Sequence, residues 1–332
     1  MSAPTEPLRI GILGASRIAE SALVGPAQTL GHRLVAVAAR DRGRAEVFAG
    51  KYGVERVLDS YDEVINDPEV DVVYNPLANS LHGRWNLTAV AAGKAVLSEK
   101  PFARNATEAR QVADAARAAG VPILEGFHYL FHPLMARTFE LLDAGAIGAV
   151  RDVEVVMAMP APGDDDPRWS YDLAGGALMD LGCYALHVSR ALGRWCGGRP
   201  EISGGRAVLR GPQIDESAVL DIRYPNGATG THAVSMVAGE YVFSLRIVGD
   251  DGSLYLHDYL GPSRDDRLTV VSSKDGTVRV EHLGTRSTYT YQLEALAASI
   301  RHGSALPIDL DDAVENMRYL DEAYRAIGLD PR

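Results

Sequence analysis

The stretch Leu8-Arg9-Ile10-Gly11-Ile12-Leu13-Gly14-Ala15-Ser16-Arg17-Ile18-Ala19 decides how this chain folds. Residues 8–13 are a short apolar run, of a length that suits a buried strand. Gly14 ends the run, and residues 18–30 then carry helical spacing up to Gly31. A strand, a glycine turn and a helix in succession aim backbone amides and a helix N-terminus at one point, where a pyrophosphate can bind. The usual pattern for that turn is Gly-x-Gly-x-x-Gly/Ala. Gly14 and Ala19 satisfy its two ends, and Ser16 replaces the middle glycine. Serine keeps the side chain small, and its hydroxyl can bond a phosphate oxygen.

Working outward, the same unit recurs. Residues 34–39 form a second apolar strand, 42–52 a helix before Gly53, and 70–74 a strand closed by Asn75-Pro76. A helix over 81–92 stops at Gly93, a strand follows at 95–97, and a helix over 107–119 ends at Gly120 before another strand from Val121. Repeated strand–helix units with apolar strands predict a parallel sheet covered on both faces. The character then changes. After a helix near 134–144, strand alternation appears at 150–159, 218–224, 228–237, 242–248 and 268–271, with Pro225-Asn226-Gly227 as a hairpin turn. Helices are predicted near 291–300 and 311–327. The chain has 332 residues, and at roughly 150 residues per domain that is two domains. The expected division is 1–126, a dinucleotide-binding α/β domain, and 127–332, an α+β domain built on a large, mostly antiparallel open sheet.

Hydrophobic residues are 46% and charged residues 23% of the chain, which excludes a disordered protein. Thirty-three Lys plus Arg against 44 Asp plus Glu give a formal charge of −11. That acidity disfavours nucleic acid and anionic membrane as partners, although a local nest of amides can still hold an anionic ligand. Cys183 and Cys196 form no Cys-x-x-Cys pair. His128 and His132 are four apart, but Pro133 follows and no third ligand accompanies them, so no metal is expected. Met1–Pro7 is short and polar and no apolar run reaches the ~18 residues of a membrane span, so a cytoplasmic protein is expected. Gly-x-Ser-x-Gly and Gly-x4-Gly-Lys-Ser/Thr are both absent.

The end of the second strand bears on which dinucleotide binds. An acid there accepts the adenosine ribose of NAD. Here Ala38-Ala39 is followed by Arg40, with Arg42 and Arg44 nearby. A guanidinium can pair with a 2′-phosphate, so NADP is expected, with NAD possible if Asp41 turns inward to the ribose. Lys100, in Ser98-Glu99-Lys100-Pro101, follows the strand at 95–97, where ligands of such sheets bind. A second segment, Gly175 to His187, reads as a loop and then a helix closing at Gly193. Asp180, Tyr184 and His187 are spaced to share one face of it. Such a stripe is either chemical or a buried network that braces the fold.

Together these pieces resemble the Gfo/Idh/MocA oxidoreductases, named for glucose–fructose oxidoreductase and inositol dehydrogenase. The resemblance is carried by Gly14–Ala19, by residues 91–101, by Gly126-Phe127-His128-Tyr129-Leu130-Phe131-His132-Pro133 and by Gly175–Tyr184, and it covers essentially the whole chain. It implies a Rossmann domain, a nicotinamide cofactor and a homodimer or homotetramer packed sheet against sheet. It also implies that Lys100 touches the nicotinamide end and the substrate, and that the helix supplies Asp180 and the acid–base residue. Tyr184 stands where inositol dehydrogenase-like members have histidine. That places the chain nearest the branch with dimeric dihydrodiol dehydrogenases, aldose 1-dehydrogenases and sugar ketoreductases.

The expected cofactor set is Gly14, Ala15, Ser16, Arg17, Ile18, Ala39, Arg40, Pro76, Leu77, Asn79, His82, Glu99 and Lys100. Lys100, Tyr184 and Asp180 are the expected catalytic residues, and Tyr129, Arg168, Trp169 and His187 the expected substrate contacts. Tyr184 would take a hydroxyl proton as hydride leaves carbon. The expected activity is oxidation of a sugar hydroxyl or hemiacetal, or the reverse reduction. The alternatives are trans-dihydrodiol or dicarbonyl chemistry, or a non-catalytic sensor that keeps the cofactor pocket.

Overall fold

The computed structural model describes residues 6–332, so the start of the polar N-terminal segment, before Glu6, lies outside the described residues. The chain forms two compact units. In the first, β1 (Arg9–Leu13), α1 (Gly25–Leu30), β2 (Arg33–Ala38), α2 (Arg42–Tyr52), β3 (Arg56–Val57), α3 (Tyr61–Asn66), β4 (Val72–Asn75), α4 (Asn79–Ala91), β5 (Ala95–Ser98), α5 (Ala106–Ala119) and β6 (Ile123–Glu125) follow in order. The strands make one parallel sheet, β3-β2-β1-β4-β5-β6. Its order reverses between β1 and β4, and a crevice outside the carboxyl ends of the strands is where such sheets bind ligands. β4 and β5 are buried along their whole length, as two covered faces require. Between β1 and α1 the backbone forms a π-helical turn, Glu20–Val24, in place of the uniform helix the spacing predicts.

The second unit contains α6 (Pro133–Asp143), β7 (Val150–Ala158), α7 (Cys183–Leu192), β8 (Glu201–Gly211), β9 (Ile214–Arg223), β10 (Thr229–Ser235), β11 (Val242–Gly249), β12 (Gly252–Leu256), β13 (Arg267–Ser272) and β14 (Val278–His282). These strands form a sheet in the order β14-β13-β12-β11-β7-β10-β9-β8, antiparallel except for β10 on β7. The turn at Pro225-Asn226-Gly227 joins β9 to β10 as read, with Gly227 at φ 89°. One face of the sheet buries Val153, Val155, Leu245 and Ile247, while Glu154 and Arg246 pair across the other. β8 and β14 escape the sequence reading because edge strands alternate weakly: Val208, Val278 and Val280 are all exposed.

Two helices complete the chain, α8 (Thr288–His302) and α9 (Leu310–Ala326). Here the structure departs from the expected division. Tyr289–Val314 belongs with the first unit, and the second comprises His128–Thr288 and Glu315–Arg332. Arg301 of α8 ties this returning segment to the first sheet through the Pro7 carbonyl at 2.9 Å and Asp71 at 3.0 Å. Chain order alone cannot show such a return. Among the described residues no helix is long and apolar enough to cross a membrane.

Within the second unit, Arg332 and Asp215 form an ion pair at 2.9 Å with neither side chain exposed. Arg332 also donates to the Gly175 carbonyl at 2.9 Å and lies over the Tyr324 ring. Asp215 accepts from the Leu178 amide at 2.6 Å. Gly176, at φ 120°, lies so close that a Cβ there would meet Asp215. Burial outweighs these partners and pushes the Asp215 carboxyl up to about 6 from 3.8. Its folded value therefore lies above its unfolded one, so its contribution to stability is full in acid and is lost as pH rises to about 6. Replacing Arg332 leaves that carboxylate buried without its cation. Arg332→Met is expected to cost about 3–5 kcal/mol above pH 6 in denaturant unfolding, and less as falling pH protonates Asp215.

Candidate active site

In the first unit the expected residues converge on the carboxyl ends of β1, β4 and β5. The Gly14 amide donates to the Ala38 carbonyl at 2.7 Å, which draws the turn against β2. At φ 86° the position suits glycine, and a Cβ would lie 2.9 Å from Leu77. The Ser16 hydroxyl is buried and has no hydrogen-bond partner among the described residues. Arg17 and Ile18 are exposed beside it.

The three arginines after β2 separate by role. Arg42 is paired with Glu46 at 3.0 Å and with Asp59. Arg44 reaches back to the Ala15 carbonyl at 3.2 Å. Arg40 is exposed and has no ion pair among the described residues. Asp41 caps α2, accepting from the Arg44 amide at 3.0 Å. Its carboxylate therefore serves the helix, as the commonest capping residues do.

Beyond β4 and β5 a buried polar network sets the loops. Asn75 donates to Asn86 at 2.8 Å, Asn86 donates to Ser98 at 2.9 Å, and the Tyr74 hydroxyl donates to Glu99 at 2.9 Å. His82, expected as a cofactor contact, is fully buried. Its ring lies between the Pro101 carbonyl, 2.7 Å from Nδ1, and the Leu77 carbonyl, 2.9 Å from Nε2, and a neutral ring donates to one of them. Burial holds the ring below its ordinary pKa, and the charge of Lys100 acts in the same direction. His82 thus braces the loop holding Pro76 and Leu77 against the Lys100–Pro101 segment, whose peptide is cis. Lys100 is half-buried, and Asn79 opens α4.

In the second unit the predicted loop and helix appear, with one difference. Residues Leu178–Gly182 form a π-helical turn before α7 begins. Such turns widen a helix and recur at functional sites. Asp180 lies inside it, so the uniform spacing of Asp180 and Tyr184 read from the sequence does not hold. Each polar side chain of this segment has its own partner. Asp180 accepts from Arg168 at 2.8 Å, and Arg168 also contacts Asp166 at 3.3 Å. These carboxylates, Asp180 first, raise the already high pKa of Arg168. Tyr184, only 4% exposed, shares a hydrogen bond of 3.1 Å with His128 Nε2. His187 Nδ1 meets the Tyr129 hydroxyl at 2.7 Å.

Tyr129 and His187, expected as substrate contacts, are therefore buried and bonded to each other. Arg168 serves Asp180. Trp169 is half-buried, with Arg210 stacked 4.4 Å above its ring. His132, read only as a rejected metal ligand, caps α6 through the Leu134 amide. The residue that the sequence reading missed is His128. Its signal was its place in an aromatic segment, Gly126–Pro133, already matched to a family pattern.

A parallel nucleotide-binding sheet, an orphaned serine in its first turn and a second unit holding a buried tyrosine define a dehydrogenase-like, two-unit protein. Family models agree. The "Oxidoreductase family, NAD-binding Rossmann fold" of GFO/IDH/MocA matches residues 8–127, and the GFO/IDH/MocA C-terminal domain matches 135–255. The chain belongs to the GFO/IDH/MocA oxidoreductase family. It is 32% identical over 320 residues to D-xylose 1-dehydrogenase (NADP(+)) 2 of Haloferax volcanii, covering 96% of this chain and 97% of that protein. It is 34% identical to mouse (Mus musculus) trans-1,2-dihydrobenzene-1,2-diol dehydrogenase, over 69% of this chain and 68% of that one. Among solved structures, a tyrosine-to-phenylalanine variant of a 3-ketoreductase from Actinomadura kijaniata, in complex with TDP-benzene and NADP, superposes with a TM-score of 0.88 at 26% identity. That match covers 97% of this chain and 98% of the reductase.

Proposed function

We propose that this chain is an NADP-dependent dehydrogenase or reductase that interconverts a hydroxyl or cyclic hemiacetal of a sugar-like polyol with the matching carbonyl or lactone. The observation that carries the reading is the Tyr184 phenol, nearly buried on an apolar helix and hydrogen-bonded to an imidazole. Any buried phenol needs a hydrogen-bond partner, and an imidazole is one that can also exchange its proton. The relatives support the substrate class, since one acts on D-xylose and another on a dTDP-sugar. The Actinomadura reductase has also been solved with a tyrosine changed to phenylalanine and with a lysine changed to alanine or glutamate. Those are the two residue types assigned here to the reaction.

The first unit fits an anionic dinucleotide. The unpartnered Ser16 hydroxyl and the close approach of Gly14 to Leu77 suit a pyrophosphate beside the turn. We assign Gly14 to Ile18 to the pyrophosphate, Ala39 and Arg40 to the adenosine end, and Pro76, Leu77, Asn79, Glu99 and Lys100 to the nicotinamide end. NADP, when bound, supplies the hydride for reduction and accepts it in oxidation. In reduction Tyr184 donates a proton to the carbonyl oxygen; in oxidation it removes the hydroxyl proton. The Lys100 ammonium stabilises negative charge on the reacting oxygen. Asp180, fixed by Arg168, orients a substrate hydroxyl. A second reading, oxidation of trans-dihydrodiols, is favoured by the mouse relative and by the aromatic wall of Tyr129, Tyr184 and Tyr259. Turnover with a panel of aldoses, ketoses and diols separates the two, and cofactor binding without turnover on any of them would favour a sensor.

Tyr184→Phe keeps the ring and removes the proton-transfer group. Turnover should fall by about 10²–10⁴-fold while NADPH still quenches or enhances fluorescence on binding. Lys100→Met should be as damaging, and the double variant little worse, as expected if both groups serve the same step. Near-full turnover in Tyr184→Phe would overturn the assignment.

Arg40 is read as the partner of the 2′-phosphate. Arg40→Ala should weaken NADP by about 1–3 kcal/mol and leave NAD almost unchanged, as titration calorimetry can show. Equal losses would remove that role from Arg40.

The outward sheet face leaves Val208, Val278 and Val280 exposed at 56%, 64% and 49%. Apolar strand positions of this kind are ordinarily covered. We propose a homodimer or homotetramer packed through this face. Light scattering at micromolar concentration should give a multiple of 35.7 kDa, and a single-chain mass would exclude it.

A further inference from the structure

We infer that His128 holds the proton that Tyr184 exchanges with the substrate, and that Thr288 fixes the imidazole for this task. The inference rests on the acid–base reading of Tyr184. His128 is 3% exposed and Thr288 4%. The imidazole bridges two hydroxyls, with Nε2 3.1 Å from the Tyr184 oxygen and Nδ1 2.8 Å from Thr288 Oγ1. The rings of His128 and Tyr184 meet edge to face, with centroids 5.8 Å apart.

Thr288 allows the tautomer that this task needs. A threonine hydroxyl can accept from Nδ1–H and donate elsewhere. With the hydrogen on Nδ1, Nε2 carries a lone pair and accepts from the Tyr184 phenol. A base is then in contact with the acid–base residue, ready to take its proton. Nearby polar groups are otherwise engaged: Tyr129 with His187, and Asp180 with Arg168. His128 is the imidazole in direct contact with the Tyr184 oxygen within this unit, although His187 follows Tyr184 on the same helix.

In oxidation the substrate C–H bond breaks, and its electron pair leaves with hydrogen as hydride to the nicotinamide. The substrate O–H proton passes to Tyr184, and the phenol's own proton passes to His128 Nε2. The products are the carbonyl compound, the reduced cofactor, an intact phenol and an imidazolium. The positive charge of the oxidised cofactor is thus replaced by that of His128. The imidazolium then releases one proton and returns to neutral. Reduction starts from the imidazolium and runs the same transfers backwards. His128 touches Tyr184 and acts through it, so it is a positioning and proton-holding residue.

The test uses the full-length chain with three variants. His128→Ala removes the ring, His128→Gln keeps a polar group able to bond Tyr184, and Thr288→Val removes the anchor. In both His128 variants, kcat for oxidation should fall by about 10²-fold, the lower end for loss of an acid–base group. KM should change little. The acid limb of the kcat–pH profile should vanish in both, and added imidazole should restore part of the rate to His128→Ala. Thr288→Val should shift that limb without abolishing it. A readout independent of turnover is nitrogen NMR of the His128 imidazole in the cofactor-free chain, where Tyr184→Phe should shift the titration. The inference fails if His128→Gln keeps the parental rate and pH limb, since a hydrogen bond alone would then suffice. It also fails if Tyr184→Phe leaves the imidazole titration unmoved, a result that stands even where His128→Ala does not fold. Loss of turnover in Tyr184→Phe together with normal His128 variants would defeat this inference alone. Full turnover in Tyr184→Phe would defeat the reading beneath it.

Discussion

Polar groups buried on an apolar helix must find partners, and that constraint organises the second unit. Leu178 to Leu192 carries Asp180, Tyr184, His187 and Ser189 among buried apolar residues. An unbonded buried polar group costs about 1–3 kcal/mol, comparable to a large share of a domain's net stability. Each is therefore met from elsewhere: Asp180 by Arg168, Tyr184 by His128, His187 by Tyr129, and Ser189 by Tyr224 at 2.7 Å. These partners come from His128 and Tyr129 before α6, from the loop before the helix and from Tyr224 just after β9. The helix is thus fixed in rotation as well as in depth. At its start the same rule applies to backbone, since the Leu178 amide reaches the buried Asp215.

The parallel sheet was readable because its signals are local. Strands ending at Gly14, Asn75 and Ser98 announce themselves by apolar runs and by the turn residues that stop them. α2 falls at 42–52 as read, because Asp41 caps one end and Gly53 closes the other. The second sheet was less legible. β12 begins at a glycine and is only five residues long, and β14 alternates between exposed and barely buried positions. The return of Tyr289–Val314 to the first unit has no local signature. It is held there by pairs distant in sequence, such as Arg301 with Asp71, 230 residues apart.

The candidate site shows the same division. Residue type and spacing drew attention to Asp180 and Tyr184, and the family resemblance to Lys100, but neither says what each one touches. Asp41 was ambiguous between a ribose and a helix, and the cap hydrogen bond from Arg44 commits it to the helix. His82 was expected at the cofactor, yet two backbone carbonyls enclose its ring. His128 was weighed as a metal ligand because sequence shows only its distance from His132. The bond to Tyr184 spans 56 residues and the bond to Thr288 spans 160, so no window along the chain contains them.

That separation has a chemical consequence. Where the acid–base residue is itself a histidine, one ring both meets the substrate and stores the proton. If Tyr184 is the acid–base residue, as proposed, the two tasks divide. A phenol has an ordinary pKa near ~10, so unaided it surrenders its proton reluctantly at neutral pH. Its hydroxyl can nevertheless present a single, directed hydrogen to the substrate oxygen. An imidazole, whose ordinary value near ~6.5 lies within the physiological range, is the better store. In the proposed assignment, His128 behind Tyr184 joins a directional donor to a base able to hold the proton. Both groups are buried, and the imidazole lies between Thr288 and the phenol, an arrangement that suits such an exchange.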